Sequence, residues 1–331
     1  MTAPIIIKDL IKAYGSTGWL GAKQEKVILQ NINLTLRENE VLGLVGESGC
    51  GKTTLAKVVL GLEKYKSGSV QVYGQELKTC SKKDMQALRR RMQVVFQDPY
   101  SSLDPRQSIR QILSEPWDIH NLHKNKTLRQ EKLAELMRSV GLDPQHLDRY
   151  PHEFSGGQRQ RIAIARALAL EPQILVADEP VSALDVSVQA QVLNLLKAIS
   201  RQRGLSMLFI SHDFGVARFL CDRIAVMYQG NILEMGETEQ LLQNPQHPYT
   251  EALLSAVPLP DPALQKNKEP VPLVYEPKRC AKSTCAYAAR CGYYQVDICH
   301  GGNVSAYSQN DGGFCACARK PFKDKKSRFA V

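Results

Sequence analysis

Residues 46–53 read Gly-Glu-Ser-Gly-Cys-Gly-Lys-Thr, directly after the apolar run Val41-Leu42-Gly43-Leu44-Val45 and before the helically spaced Leu55, Val58 and Val59. This is G-x-x-x-x-G-K-[ST] in its required setting of strand, tight turn and helix. The glycines let successive backbone N–H groups converge on phosphate oxygens, and a helix opening at Lys52 aims its positive dipole end at the same charge. Gly46, Ser48, Gly49, Cys50 and Gly51 are therefore candidate phosphate-binding positions. Lys52 adds a point charge and Thr54 a further phosphate contact. The Thr53 hydroxyl suits an octahedral magnesium ion shared with substrate phosphates. Gly61 is predicted to cap the helix, and the loop is expected to bind a nucleotide.

A chain of 331 residues, 43% hydrophobic and 23% charged, has material for two or three domains. No stretch approaches about 18 consecutive apolar residues, and the first twelve positions lack a basic start followed by a long apolar run, so neither a membrane anchor nor a secretory signal is expected. The protein is expected to stay in the cytoplasm. The excess of 43 Lys+Arg over 33 Asp+Glu gives a net charge of +10. Its clusters (Lys64 and Lys66, Lys82-Lys83, Arg89-Arg90-Arg91 and the basic tail over 320–328) lack interleaved aromatics, so they read as solvated faces and no nucleic-acid partner is expected.

Residues 5–45 read as short strands, with Asn31-Ile32-Asn33-Leu34-Thr35-Leu36 alternating at period two. From 81 to 140 the pattern is mainly helical, with Leu128, Leu133, Leu136, Met137 and Val140 near helical spacing and breaks expected at Pro99, Pro105 and Pro116. Beyond Ser155, predicted elements alternate: a helix through Arg166-Ala167-Leu168, a strand over 174–177, a helix over 186–203 and a strand over 206–210. That order implies a mostly parallel sheet with covered faces. Two apolar runs flanking Gln229-Gly230 predict a hairpin at the sheet edge. Pro258, Pro260, Pro262, Pro270, Pro272 and Pro277 then predict a stiff connector.

With residues 46–53 followed by Ser155-Gly156-Gly157-Gln158 and by Asp178-Glu179 after Ile174-Leu175-Val176-Ala177, the chain resembles the ATP-binding cassette subunits of membrane transporters. The resemblance covers about residues 5–255. It implies an α/β P-loop NTPase (RecA-like) core with an antiparallel β subdomain and an inserted helical subdomain, over residues 1–257, the helical part at about 98–165. By the same resemblance Ser155, Gly156, Gly157 and Gln158, at a helix N-terminus with free N–H groups, grip the terminal phosphate held by a partner cassette. Asp178 holds magnesium together with Thr53, Glu179 is the general base, and His212 senses the terminal phosphate. Gln97 reaches toward magnesium, and residues 98–106 receive the membrane subunit. Asp185, in Ser182-Ala183-Leu184-Asp185, communicates across the dimer. Tyr14 stacks on adenine, with Trp19 a weaker candidate. Glu179, His212, Gln97 and Lys52 are the implied catalytic set, with ATP and Mg2+ as ligands.

His247-Pro248-Tyr249-Thr250 and a cysteine-bearing extension over 258–331 narrow the resemblance to importers of oligopeptides, dipeptides or nickel. Such importers imply a paralogous cassette as heterodimer partner, two transmembrane permease subunits and an extracytoplasmic solute-binding protein, with the cassette peripheral on the cytoplasmic membrane face. Six of the nine cysteines (Cys280, Cys285, Cys291, Cys299, Cys315 and Cys317) fall in this extension, and in a cytoplasmic protein such clustering argues for metal over disulfides. The resemblance picks Cys285, Cys291, Cys299 and Cys315 for a [4Fe-4S] cluster, although four thiolates also fit zinc and spacing alone does not choose. The chain departs from the family's cysteine pattern: Ala286 and Gly292 stand where Pro is usual, and seven residues separate Cys291 from Cys299. Cys317, Cys280 or His300 could substitute as a ligand.

A soluble cassette ATPase acting in translation, DNA repair or phosphonate metabolism is the alternative from another class. A translation factor would need a second phosphate loop and a repair ATPase a long coiled-coil insertion, and the sequence has neither.

Overall fold

The computed structural model describes residues 3–17, 23–98, 102–256, 285–299, 307–308 and 313–317. Strands β1 (Ile5–Thr17) and β2 (Lys23–Leu36) precede β3 (Val41–Val45) and helix α1 (Lys52–Val59). β4 (Ser67–Val72) and β5 (Gln75–Glu76) follow, then α2 (Lys82–Arg91) and β6 (Met92–Val95). Next come α3 (Ile109–Ile119), α4 (Lys126–Ser139), α5 (Gly156–Leu168), β7 (Ile174–Asp178), α6 (Val186–Arg203), β8 (Ser206–Ser211) and α7 (Phe214–Leu220). The chain continues with β9 (Arg223–Tyr228), β10 (Asn231–Glu237), α8 (Thr238–Gln243), α9 (Pro248–Ala256), α10 (Val296–Cys299), β11 (Tyr307–Ser308) and β12 (Phe314–Cys315).

The expected α/β architecture is present. A four-stranded antiparallel sheet, ordered β2-β1-β4-β5, lies beside an eight-stranded sheet ordered β11-β12-β10-β9-β3-β8-β7-β6. Period-two alternation in β2 works as read: Ile32, Leu34 and Leu36 are buried while Asn31 and Asn33 are exposed. β3, β7, β8 and β9 are buried along their whole length, as parallel strands covered on both faces must be. One core packs β3, β7, β8 and β9 residues such as Leu42, Val176, Ile210 and Ala225 against α1 and the small sheet. The other packs the opposite sheet face against α3–α6.

Two expectations are corrected. The β9–β10 hairpin is not at the sheet edge, because β12 pairs with β10 at Glu234↔Cys315 and Met235↔Phe314. Pro116 does not break a helix but lies inside α3. The bond it forgoes is offset by packing, since adjacent Trp117 is buried and its Nε1 donates to the Ala169 carbonyl at 2.7 Å. The helical spacing of Leu128, Leu133, Leu136, Met137 and Val140 falls on α4 and its C-cap, with Leu128 exposed in the first turn and the other four buried. Pro99 and Trp19, the connector prolines and the basic tail lie outside the described residues.

Candidate nucleotide site

Parallel register brings the motifs to one edge of the large sheet. Val45 aligns with both Ser211 of β8 and Val226 of β9, Asp178 with Ile210, and Val95 with Ala177. Residues just past these positions therefore emerge side by side at the carboxyl ends of the strands, where open α/β sheets bind ligands. They are Gly46 onward, His212, Glu179 and Gln97.

Helix α1 begins at Lys52 with Gly51 as its N-cap, and no side chain caps it. Its first N–H groups are thus left for a ligand. Lys52 is buried, and its Nζ donates to the carbonyls of Gly46 (2.8 Å) and Glu47 (3.0 Å). The same ammonium lies 4.0 Å from Glu179 Oε1, and Glu179 Oε2 is 3.3 Å from His212 Nδ1. Lys52, Glu179 and His212 therefore form a continuous polar chain. Glu179 sits in the left-handed region with φ 46°, and its backbone N–H is tied to the Ile210 carbonyl at 3.0 Å. Strain of this kind, held in place by the neighbouring strand, re-aims a side chain off the strand direction.

Thr53 Oγ1 donates to Asp178 Oδ1 at 3.3 Å. Burial is the main cause that pushes the Asp178 carboxyl above its ordinary range, while the Thr53 hydrogen bond and Lys52 pull the other way. A hydroxyl and a buried carboxylate meeting at the foot of a phosphate loop are hard oxygen donors of the kind magnesium takes, and a dication there would favour the ionised carboxylate. The donor set fits magnesium and a nucleotide triphosphate.

Gly46 tolerates no side chain. A Cβ there would lie 2.1 Å from the Met227 carbonyl oxygen on β9. Gly46→Ala is expected to displace the loop from β9 and to abolish nucleotide binding, measurable by titration with a fluorescent ATP analogue. Binding at unaltered affinity would show that the loop adjusts freely.

Gln97 is exposed just beyond β6. Part of the segment after it is tethered to the second motif's helix, because the half-buried Arg166 of α5 donates to the Ser102 carbonyl at 2.6 Å. Ser155 caps α5: its hydroxyl accepts from the Gln158 N–H (3.4 Å) while the Gln158 side chain accepts from the Ser155 N–H (3.0 Å). That reciprocal box leaves the Gly156 and Gly157 N–H groups uncapped by it. A Cβ on Gly157 would meet Val188 Cγ1 at 2.2 Å, so α5 approaches the start of α6 as closely as glycine allows.

α5, which carries Ser155–Gln158 at its N-terminus, packs against α3, α4, α6 and β6. Asp185 and Val186 lead into α6 on the surface, with Val186 82% exposed. Tyr14 is 41% exposed on β1, and Lys12 Nζ lies 4.2 Å from its ring centroid.

The His-Pro-Tyr-Thr segment and the extension reach the same loop from behind, a connection with no local sequence signal. Buried Tyr249 accepts from the Glu47 N–H through its hydroxyl at 3.2 Å. Tyr249, Tyr228 and Tyr287 pack ring to ring, with centroids 4.6 to 5.3 Å apart. His247 is buried, which holds its imidazole down at about 3, and its Nε2 lies 3.9 Å from Cys285 Sγ. Burial first, and neighbouring thiols after it, push Cys285 and Cys291 up to about 11. Among the described residues no group of three or more Cys, His, Asp or Glu is already arranged to hold a metal. Cys280 and His300 lie outside them. The sulfur donor set itself suits zinc or an iron–sulfur centre.

No helix among the described residues is long and apolar enough to cross a membrane. Residues 29–182 match the ABC transporter family, and residues 233–299 match the C-terminal region of oligopeptide/dipeptide transporters. The chain is 50% identical over 274 residues to the oligopeptide transport ATP-binding protein AmiF of Streptococcus pneumoniae, covering 82% of this chain and 87% of that one. It is 48% identical over 273 residues to the putative oligopeptide transport ATP-binding protein YkfD of Bacillus subtilis, covering 82% and 83%. Among solved structures it is similar to the ATP-binding cassette MJ0796 in a dimeric post-hydrolysis state bound to ADP and Pi. There the TM-score is 0.63 and the identity 28%, over 71% of this chain and 98% of that chain.

Proposed function

Because the chain belongs to the ABC transporter ATP-binding family, and within it to the oligopeptide/dipeptide group, we propose that it hydrolyses ATP to drive peptide import through a membrane complex. The observation that carries this reading is the polar chain from Lys52 to Glu179 to His212 at the sheet edge. It stands beside the Thr53–Asp178 pair, while Ser155–Gln158 lies on a separate helix.

In this reading Lys52, Thr54 and the N–H groups of residues 46–53 hold the phosphates, and Tyr14 offers its ring to adenine. Magnesium, held by Thr53, Asp178 and Gln97, would neutralise phosphate charge. Glu179 takes the proton of the attacking water, oriented by His212. Ser155, Gly156, Gly157 and Gln158 contact the terminal phosphate on a second cassette, and Asp185 meets that cassette's surface. Neither chain alone completes its site. The exposed Asp185–Val186 corner and the capped α5 N-terminus support such a face-to-face pairing.

The wider assembly follows from the family: a paralogous cassette, two permease subunits and an extracytoplasmic solute-binding protein, with this chain on the cytoplasmic membrane face. Residues 1–257 form the ATPase domain, about 98–165 its helical insert, and 258–331 the connector and Cys-rich module. Cys285, Cys291, Cys299 and Cys315 would hold a [4Fe-4S] cluster, which would supply iron–thiolate bonds drawing the module together. Anaerobic purification should recover iron and acid-labile sulfide in similar amounts; absence of both would refute the cluster.

The function is tested by reconstituting the chain with its permeases in vesicles. Peptide-stimulated ATPase activity and ATP-dependent peptide accumulation are expected. Hydrolysis that ignores permeases and peptide would contradict the transport role.

A further inference from the structure

Glu47 is the one acidic residue inside the phosphate loop. Its backbone is pinned on both sides: the N–H donates to Tyr249 Oη, and the carbonyl accepts from Lys52 Nζ. Its carboxylate is met by Arg290, whose Nη1 lies 3.2 Å from Oε1 and 3.1 Å from Oε2. Arg290 comes from the extension, 243 residues along the chain, in the short 3-10 turn Ala288–Arg290 between Cys285 and Cys291. That turn is anchored by buried Tyr287, packed against Tyr228 and Tyr249. The Arg290 guanidinium carbon also lies 5.8 Å from the Tyr228 ring centroid.

We propose that Arg290 is a positioning residue for the ATP site: it neutralises and holds Glu47, so that the Cys-rich extension braces the phosphate loop. The inference rests on the reading of residues 46–53 as an ATP site. A carboxylate within that loop puts a negative charge close to where a multiply charged triphosphate must come, and like charges there oppose binding. Arg290 removes the opposition by ion pairing. Because the turn bearing it lies between two candidate metal-binding thiols, order in the extension and geometry of the loop become one mechanical unit.

The pair is about half exposed, with side-chain exposures of 42% and 40%, so solvent limits its worth. In the full-length chain, Arg290→Ala should weaken binding of a fluorescent ATP analogue at low ionic strength by about two- to fivefold. Arg290→Lys should recover most of the loss. On a Glu47→Gln background, Arg290→Ala should add no further weakening, because the charge it answers is gone. Equal affinity of Arg290→Ala and the unaltered chain would overturn the proposal. So would the same loss with Glu47→Gln present, since Arg290 would then act only through packing. Failure of the unaltered chain to bind the nucleotide would instead overturn the ATP-site reading, and this inference with it.

Discussion

Glu179→Gln is expected to cut steady ATP hydrolysis by roughly 10²- to 10⁴-fold, the usual worth of a positioned general base, while leaving nucleotide binding intact. Gln keeps the shape and can still accept a hydrogen bond from the His212 side. It cannot take a proton from water. The backbone that aims residue 179, with φ 46° and its N–H on the Ile210 carbonyl, is unaffected by the change. The paired cassettes should therefore close on ATP and stay closed, which size-exclusion chromatography with ATP would reveal as a stable dimer. Turnover at the original rate would strip Glu179 of its role.

Lys52→Ala is expected to act earlier, on binding. The ammonium is buried and already serves two loop carbonyls, with Glu179 4.0 Å away. A phosphate oxygen entering the loop would exchange for those weaker partners. Loss of one charge-assisted contact should weaken ATP binding by roughly 10- to 100-fold. Removing the cation also leaves the Gly46 and Glu47 carbonyls without it, so the empty loop should lose order too. Isothermal titration with ATP decides the matter: affinity within about fivefold of the original, which is about 1 kcal/mol, would contradict the assignment.

These contrasting outcomes, one variant that binds without turning over and one that hardly binds, follow from side chains whose proposed roles were legible locally. Lys52, Thr53, Asp178, Glu179 and His212 each sit at the end of an apolar strand or the start of a helix, and parallel register alone suffices to gather them. The strand–helix alternation after Ser155 was likewise legible, with α6 spanning Val186–Arg203 as read.

What escaped the sequence was long-range. β12 is a two-residue strand that joins β10 from far along the chain, so nothing near residues 223–237 could reveal that the hairpin has a neighbour. The Arg290–Glu47 contact spans 243 residues and uses residue types common on any surface. Pro116 misled because local rules price the missing N–H but not the burial of Trp117 beside it. Leu128 fitted the helical spacing but falls in the first turn of α4, beyond the reach of the core.

The most direct measurement is the structure of the Glu179→Gln assembly locked with Mg-ATP. It should place the Gly156 and Gly157 N–H groups of each cassette within hydrogen-bonding distance of the terminal phosphate held by the other's residues 46–53. Terminal phosphates contacted by residues of one chain alone would contradict the shared site from which the account starts.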